Sequence, residues 1–290
     1  MKLSIESYHL VEKFGYRKAF SLIKAAGFEA VDFSLYYDAT HWLLQDDYRE
    51  RALDIRKALD ETGLVCTQTH APFHSAIAKG LAYGSQWNED CPEYLETIRA
   101  IEVTAILGAP HTVIHNIKVP EGVDLMEYNL AFYQSFLPYL KKFDTQLAIE
   151  NMQSKDAETG TFQERIGTAQ RMNTLFDRLN SDRYVLLVDT GHAILGGTTP
   201  EALIRGLTPG SLRGLHVQDT DATADRHQLP FMGTINWEEV LQALKDTGYK
   251  GDLTFEIPKI LGPLPDALVE SCLAYAATVG KYLIKRFREI

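Results

Sequence analysis

The chain has 290 residues, of which 45% are hydrophobic and 23% charged, and its formal net charge is −10. This is the composition of a soluble globular protein, and its acidity argues against a nucleic-acid-binding surface, which is usually basic. The sequence contains no apolar run long enough to span a membrane and no signal-peptide core, and its three scattered cysteines favour a reducing cytoplasm over a disulfide framework.

Short apolar runs alternate with longer amphipathic segments along the chain. The runs rich in Val, Ile, Thr and Phe predict strands at LSIES, AVDFSL, VCTQTH, HTVIHN, QLAIEN, YVLLVD, RGLHVQ and DLTFEI. The amphipathic segments predict helices over 11–26, 47–62, 92–107, 125–143, 165–179, 200–206, 237–247 and 265–287. Several of these helices end at a glycine followed by an apolar residue, as in AAGF and ETGL, which is a common helix C-terminus.

This alternation of strands and helices predicts the fold. Eight strands that alternate with eight helices favour an α/β protein with a closed (β/α)8 TIM barrel, and an open doubly wound sheet is the alternative. No linker or change in composition interrupts the pattern, so residues 1–290 are predicted to form a single domain. The longest stretches without a regular pattern are 73–91, 152–164 and 218–236, and each follows a strand, where long loops are usually functional.

Acidic and histidine side chains lie where the predicted strands end. In a TIM barrel these strand ends meet at one mouth, which carries the catalytic groups. The residues at these ends are His70, His115, Glu150, Asp189, His192, His216 and Glu256, and the loop after the seventh strand adds Asp225 and His227. Taken singly, each is more often a hydrogen-bonded core residue or part of a solvated loop. Taken together, carboxylates this close repel one another unless a cation lies between them, and mixed imidazole and carboxylate ligands favour Zn²⁺, Mn²⁺, Fe²⁺ or Co²⁺.

Four segments resemble one known family. IENM, VDTGHA, LHVQDTDATADRHQLPFMGTINW and LTFEI are similar to segments of the xylose-isomerase-like barrels, which include sugar epimerases, inosose dehydratases and endonuclease IV. In the ketose epimerase branch, strands five to eight hold one metal, and the matching residues here are Glu150, Asp189, His216 and Glu256. That branch also holds substrate hydroxyls with residues that match His192 and, more loosely, Arg226.

The resemblance to endonuclease IV implies further ligands. That branch binds three zinc ions, and the additional matching residues are His70, His115, His192, Asp225 and His227. Because the sequence has the ligand types of both branches, the number of metals stays open.

Substrate-binding candidates surround the predicted metal residues. They are His70, His192, Arg226 and Trp87. Phe73, Phe231 and Trp237 are further aromatic candidates for an apolar wall against a sugar, although Trp237 is better explained as a core residue at a helix start.

The leading functional hypothesis is a metal-dependent isomerase or epimerase of a sugar or sugar derivative. The metal, Zn or Mn with Co, Fe or Mg as further options, would polarise a carbonyl, and one of Glu150 and Glu256 would remove a proton that the other returns. The first alternative is a zinc-dependent phosphoesterase resembling endonuclease IV. The others are a dehydratase acting on an inositol-type ketone and a non-catalytic metal-binding barrel. We expect a small-molecule carbohydrate substrate and no nucleic-acid or membrane partner, and a homo-oligomer stays open.

The loop after the seventh strand allows a finer prediction. Asp225 and His227 are two residues apart, so in an extended segment both side chains face the same way, towards the mouth and His192. Arg226 would then face away, which conflicts with its substrate role. We expect the earlier acidic residues, Asp219 and Asp221, to lie in solvent or to hydrogen-bond within the loop.

Overall fold

The structure is a computed structural model that describes residues 1–36, 40–73, 88–119, 121–156 and 158–290. Its strands are β1 (Leu3–Glu6), β2 (Ala30–Ser34), β3 (Val65–His70), β4 (His111–Ile114), β5 (Gln146–Glu150), β6 (Met152–Lys155), β7 (Phe162–Arg165), β8 (Tyr184–Asp189), β9 (Leu212–His216) and β10 (Leu253–Phe255). Its helices are α1 (Tyr8–Ala26), a short 3-10 helix (Trp42–Leu44), α2 (Tyr48–Thr62), α3 (Pro92–Leu107), α4 (Leu125–Ser135), α5 (Leu137–Lys142), α6 (Ala169–Leu179), α7 (Thr190–Leu195), α8 (Pro200–Gly206), α9 (Trp237–Asp246), α10 (Pro258–Leu261) and α11 (Asp266–Glu289).

The parallel strands form a nearly closed barrel. Within the described ranges, eight strands pair in the order β10-β1-β2-β3-β4-β5-β8-β9. The two ends of this sheet meet where Val217 forms a parallel bridge with Phe255. There the Val217 amide donates to Thr254 at 2.7 Å, and the Glu256 amide donates to Val217 at 3.1 Å. The predicted (β/α)8 barrel is confirmed, because an open doubly wound sheet has no such contact between its edge strands.

The apolar core has an outer and an inner part. The outer part lies between the strands and the surrounding helices, and it includes Phe20, Phe33 and Leu283. The inner part is a small group inside the barrel, formed by Val113, Ala148, Val185 and Leu187. Because side chains alternate across a strand, the inward face two residues further along carries Glu150 after Ala148 and Asp189 after Leu187. The apolar group therefore forms the floor beneath the polar residues at the mouth.

Two irregularities in strand register set which side chains meet. One shift follows Val31 and pairs Asp32 on β2 with Gln68 on β3. The other lies within β8 and pairs Asp189 with His216 on β9. Bulges of this kind change the direction of side chains and are common beside functional sites. Both shifts bring polar residues together inside the barrel.

Three predicted segments differ from the structure. The stretch 152–164, predicted to be irregular, contains most of the antiparallel hairpin of β6 and β7. For that reason the helix predicted over 165–179 begins only at Ala169. The helix predicted over 125–143 is divided into α4 and α5, with Pro138 in the first turn of α5. Proline has no amide hydrogen and its ring collides with the preceding turn, so it breaks a continuous helix.

One described helix, α11, is long and apolar enough by length and composition to cross a membrane. Its buried residues include Val269, Leu273, Ala276 and Leu283. The helix packs against α1 and β1. This is the packing of a core helix of the barrel.

Candidate metal centre

Four of the predicted site residues converge at the mouth of the barrel. Glu150, Asp189 and His216 end β5, β8 and β9, and Glu256 follows β10 directly. One ligand atom from each of these four residues lies within 4.8 Å of the others. None of the four is more than 7% exposed. We refer to these four residues as the tetrad.

Glu150 is surrounded by imidazoles. Its Oε1 lies 3.3 Å from Nδ1 of His216 and 3.2 Å from Nδ1 of His192, and its Oε2 lies 3.0 Å from Nε2 of His115. Burial by itself raises the pKa of the Glu150 carboxyl, but His216 and His115 hold that pKa well below its ordinary value. Glu150 is therefore an ionised carboxylate.

The other two carboxylates have opposite pKa shifts. Burial raises the pKa of Glu256, but His216 and His227 outweigh burial and hold this pKa below its ordinary value. For Asp189, burial raises the pKa to about 7 against the opposing effect of His192, and the charges of Glu256 and Glu150 add to the rise. The three carboxylates are thus too close for all of them to ionise easily without added positive charge.

Several histidines respond to this negative charge, whereas burial lowers the pKa of His115 to about 4 against the opposing effect of Glu150. Burial lowers the pKa of His216, but Glu256 and Glu150 outweigh burial and raise it well above the ordinary value. The same balance raises the pKa of His227 to about 10, with Glu256 as the main charge. The mouth therefore favours bound positive charge, whether as protons on imidazoles or as a metal ion.

Unpartnered buried oxygens test whether the tetrad fits a metal. Oε2 of Glu150 and Oε2 of Glu256 are buried and accept no hydrogen bond from any residue that the structure describes. Imidazole nitrogens of His115 and His227 lie 3.0 and 3.3 Å from them, but these contacts lack hydrogen-bond geometry. Ionised oxygens buried without donors are costly, and a divalent ion would remove that cost. Three carboxylates and one imidazole are nitrogen and oxygen donors that suit Mn²⁺, Zn²⁺, Co²⁺ or Fe²⁺.

Two groups of ligand-type residues flank the tetrad. On one side, His70 and His115 lie with Glu150, and their ligand atoms are within 4.8 Å of one another. On the other side, the ligand atoms of His192, Asp225 and His227 also lie within 4.8 Å of one another. Each additional ligand expected from the resemblance therefore lies beside the tetrad.

The loop after β9 turns Asp225 and His227 back towards the mouth. Nε2 of His227 lies 3.2 Å from Oδ2 of Asp225, and Oδ1 of Asp225 lies 3.7 Å from Nε2 of His192. Burial raises the pKa of Asp225, but His192 and His227 outweigh it and hold the pKa far below its ordinary value. The pair points towards His192 as expected, although His227 has a positive φ of 48°, so the segment is not fully extended.

The remaining charged residues of this loop lie away from the tetrad. Nε of Arg226 donates to Oδ2 of Asp221 at 3.0 Å, and the Arg226 side chain is 49% exposed. The structure does not bring Arg226 to the tetrad, because the loop turns its side chain towards Asp221. Asp219 is fully buried and accepts hydrogen bonds within the loop, whereas Asp221 is exposed.

Of the predicted aromatic residues in the described ranges, one borders the mouth and two pack elsewhere in the protein. The ring of Phe73 lies 5.3 Å from His70 and 4.8 Å from His115, centroid to centroid, so Phe73 borders the mouth. Phe231 packs against Tyr282 of α11. Trp237 is buried and donates its indole N–H to the loop, which agrees with a core residue at a helix start. Trp87 lies outside the described residues.

Sequence reasoning missed Gln218, which connects the tetrad to a flanking group. Its Nε2 donates to both carboxylate oxygens of Asp189 and to Oδ1 of Asp225, each at 3.2 Å. Its Oε1 accepts from the backbone N–H of His227 at 3.1 Å. A Cβ at Gly191 would lie 2.4 Å from this amide, so the glycine leaves room for Gln218. The available signal was that Gln218 lies two residues after a predicted ligand.

Three more polar residues near the mouth were missed. Oδ2 of Asp32 lies 3.0 Å from Nε2 of His216, and Nζ of Lys259 lies 3.0 Å from Oδ2 of Asp225. Burial raises the pKa of Glu6 to about 8, with Ser34 opposing the rise and Glu256 and Asp32 adding to it. Glu6 ends β1, so the strand-end pattern would have found it. Asp32 lies inside a strand, where that pattern gives no signal.

The fold and the mouth together define the class of protein. The sequence profile described as the xylose isomerase-like TIM barrel matches residues 20–276, so the chain belongs to the xylose isomerase-like TIM barrel family. The resemblance seen in the four sequence segments is thereby confirmed.

One protein sequence and several solved structures are similar to this chain over most of its length. The chain is 25% identical to the uncharacterized protein y4fM of Sinorhizobium fredii over 284 residues, which cover 84% of this chain and 81% of that protein. Its fold is similar to a D-tagatose 3-epimerase-like protein, with a TM-score of 0.72, 21% identity and coverage of 100% of this chain and 97% of that chain. It is also similar to D-psicose 3-epimerase with D-tagatose from Clostridium cellulolyticum H10, with a TM-score of 0.73, 14% identity and coverage of 98% and 99%. At these identities the structural likeness establishes a shared fold.

Proposed function

We propose that the protein is a metal-dependent isomerase or epimerase of a sugar or sugar derivative. The observation that carries this proposal is the tetrad, in which two buried glutamates, three strands apart around the barrel, approach one point together with an aspartate and a histidine. Family membership supports it, as do the similar folds of proteins named as sugar 3-epimerases.

The tetrad residues would divide the chemistry between them. A divalent ion held by Glu150, Asp189, His216 and Glu256 would supply Lewis-acid polarisation of a substrate carbonyl and its neighbouring hydroxyl. Glu150 and Glu256 lie on β5 and at the end of β10, so a substrate carbon between them would present a different face to each carboxylate. One glutamate would take the proton onto a carboxylate oxygen, and the other would return a proton to the opposite face. The neighbouring imidazoles hold the pKa of both glutamates below its ordinary value, so both are carboxylates.

Neighbouring side chains would hold the substrate. The backbone N–H of His192 donates to Oδ1 of Asp189 at 2.6 Å, which fixes His192 at the start of α7 beside the tetrad. His192 and His70 would bind hydroxyl groups, and the exposed ring of Phe73 would contact the apolar C–H face of a sugar. These groups suit a small polyol.

Exchange of a carbon-bound hydrogen tests this function. Metal-loaded protein is incubated in D₂O with free ketopentoses, ketohexoses and an inositol-type ketone, and deuterium next to the carbonyl is measured by mass spectrometry. We expect incorporation by the wild type and none by Glu150→Gln or Glu256→Gln. Asp221→Asn is the control and should retain exchange, since Asp221 is exposed and pairs with Arg226. If the metal-loaded wild type exchanges hydrogen in none of these compounds, the proposal fails.

The two flanking groups favour a second candidate, a zinc-dependent phosphoesterase. Each group adds a set of converging ligand atoms beside the tetrad, and neighbouring metal ions can stabilise both oxygens of a phosphoryl displacement. The net charge of −10 opposes a nucleic-acid substrate. Elemental analysis of protein purified without chelator separates the candidates, because a single metal per chain favours the isomerase and three favour the phosphoesterase. Nicking of an abasic duplex by substoichiometric protein would establish the second candidate.

A further inference from the structure

A buried polar chain continues from the tetrad into the barrel. Oδ2 of Asp32 lies 3.0 Å from Nε2 of His216 and 2.8 Å from Nε2 of Gln68. All three residues are at most 2% exposed. The interior of a TIM barrel is usually packed with branched apolar side chains, and burying a carboxylate there is costly. In this barrel a carboxylate, that of Asp32, is nevertheless buried in contact with His216 of the tetrad.

His216 uses its two ring nitrogens in opposite directions. Nδ1 faces the tetrad, 3.3 Å from Oε1 of Glu150 and 3.7 Å from Oε2 of Glu256. Nε2 faces Asp32. The amide nitrogen of Gln68 donates to Oδ2 of Asp32, and an ionised carboxylate offers His216 only acceptor oxygens. Nε2 of His216 therefore carries a hydrogen, and Nδ1 is the nitrogen available to the tetrad.

Strand geometry supports this arrangement. The register shift after Val31 places Asp32 opposite Gln68. The second carboxylate oxygen of Asp32, Oδ1, is buried and has no hydrogen-bond partner among the described residues. Most buried polar atoms in proteins are satisfied, and those that are not call for an explanation. A role of Asp32 in holding His216 would explain why this carboxylate is buried here.

We infer that Asp32 is a positioning residue, which fixes the ring orientation and tautomer of His216 and thereby sets the metal affinity of the tetrad. Gln68 in turn fixes the carboxylate of Asp32. Carboxylate partners of metal-binding imidazoles hold the ring in place and increase its basicity as a ligand. The inference rests on the proposed metal centre and goes beyond it, because Asp32 and Gln68 are not among the tetrad or its flanking groups.

Zinc affinity tests the positioning role. Metal-free, full-length protein is titrated with Zn²⁺ in competition with a chromophoric chelator, for the wild type, Asp32→Leu and Asp32→Asn. Removing the acceptor in Asp32→Leu should weaken zinc binding by about 10- to 100-fold. Asp32→Asn keeps an acceptor oxygen without the charge, so its affinity should lie between those of Asp32→Leu and the wild type.

Thr112→Val is the matched control for this titration. Thr112 is buried, its hydroxyl has no hydrogen-bond partner in the described structure, and valine has nearly the same shape. Its zinc affinity should equal that of the wild type. If Asp32→Leu does not fold, as judged by circular dichroism, the comparison of Asp32→Asn with Thr112→Val still decides.

Histidine ¹⁵N NMR of the zinc-loaded protein gives a readout that a merely structural role would not change. In the wild type we expect His216 to bind zinc through Nδ1 and to carry a slowly exchanging hydrogen on Nε2. In Asp32→Asn that hydrogen should exchange faster. Zinc coordination through Nε2, or wild-type affinity in both Asp32 variants, overturns the inference. A wild type that binds no zinc refutes the metal centre itself, and the positioning role falls with it.

Discussion

At the scale of single residues, Gly191 in α7 leaves room for the side chain of Gln218, which contacts the tetrad. A Cβ at this position would lie 2.4 Å from the amide of Gln218, which holds Asp189 and Asp225 together. Gly191→Ala should therefore displace Gln218 and lower the free energy of unfolding by about 1–3 kcal/mol, measured in urea.

A double-mutant cycle isolates this contact. In a Gln218→Ala background the amide is gone, so Gly191→Ala should cost much less than in the wild type. An equal cost in both backgrounds would show that the glycine serves some other purpose.

The loop after β9 contains acidic residues of two kinds. Asp225 and His227 contact each other and the mouth, whereas Asp221 is exposed and bonds to Thr223 and Arg226. Asp225→Asn and His227→Ala should lower metal content or activity, because each removes a ligand-type group beside the tetrad. Asp221→Asn should behave as the wild type. Should all three variants keep full activity and metal content, the cluster is only a solvated loop.

The sequence indicated the tetrad but not the residues that hold it. Glu150, Asp189 and His216 could be placed because each ends a strand, and strand ends meet at one mouth. Asp32 could not, because its contacts depend on a register shift that no local pattern of residues encodes. For Gln218 the only signal was its place two residues after a predicted ligand, and its contacts depend on the path of the loop.

At the scale of elements, the loop from β9 to α9 is organised around Asp219. Its carboxylate accepts hydrogen bonds from the backbone N–H of Phe231 at 3.0 Å and of Ile235 at 3.2 Å, and from the indole N–H of Trp237 at 3.0 Å. Asp219→Ala would leave these donors without a partner. We expect the free energy of unfolding in urea to fall by roughly 3 kcal/mol, since each unsatisfied buried donor costs about 1–3 kcal/mol.

Asp221→Ala is the matched control for this loop. Asp221 lies two residues further on and is exposed, so its removal should leave the urea midpoint close to that of the wild type. If Asp219→Ala and Asp221→Ala have the same midpoint, the buried carboxylate does not organise the loop.

Elements with strong apolar periodicity were predictable, and polar ones were not. The barrel strands are apolar and end in charged or histidine residues, and their order confirmed the barrel. The strands β6 and β7 of the hairpin, with the sequences MQSK and FQER, show little apolar alternation. Their pairing could therefore not be predicted from the pattern of apolar residues. The prediction of one helix over 125–143 did not take into account that Pro138 breaks a continuous helix.

At the scale of the whole molecule, barrel closure is what brings distant residues together. Glu150 and Glu256 are more than a hundred positions apart in the sequence, yet their ligand atoms lie within 4.8 Å. The nearly closed strand order therefore creates a concentrated negative charge at the mouth, inside a chain whose net charge is already −10. In the proposed function, a bound divalent cation would offset this negative charge.

Binding of Mn²⁺ to the full-length chain, freed of metal beforehand, tests the central claim most directly. Electron paramagnetic resonance of the free ion gives the bound amount at each addition. The tetrad should bind Mn²⁺, and Asp189→Asn and Glu256→Gln should each weaken that binding strongly, while Asp221→Asn leaves it unchanged. A wild type that leaves all Mn²⁺ free, or binding that survives undiminished in both tetrad variants, would contradict the metal centre.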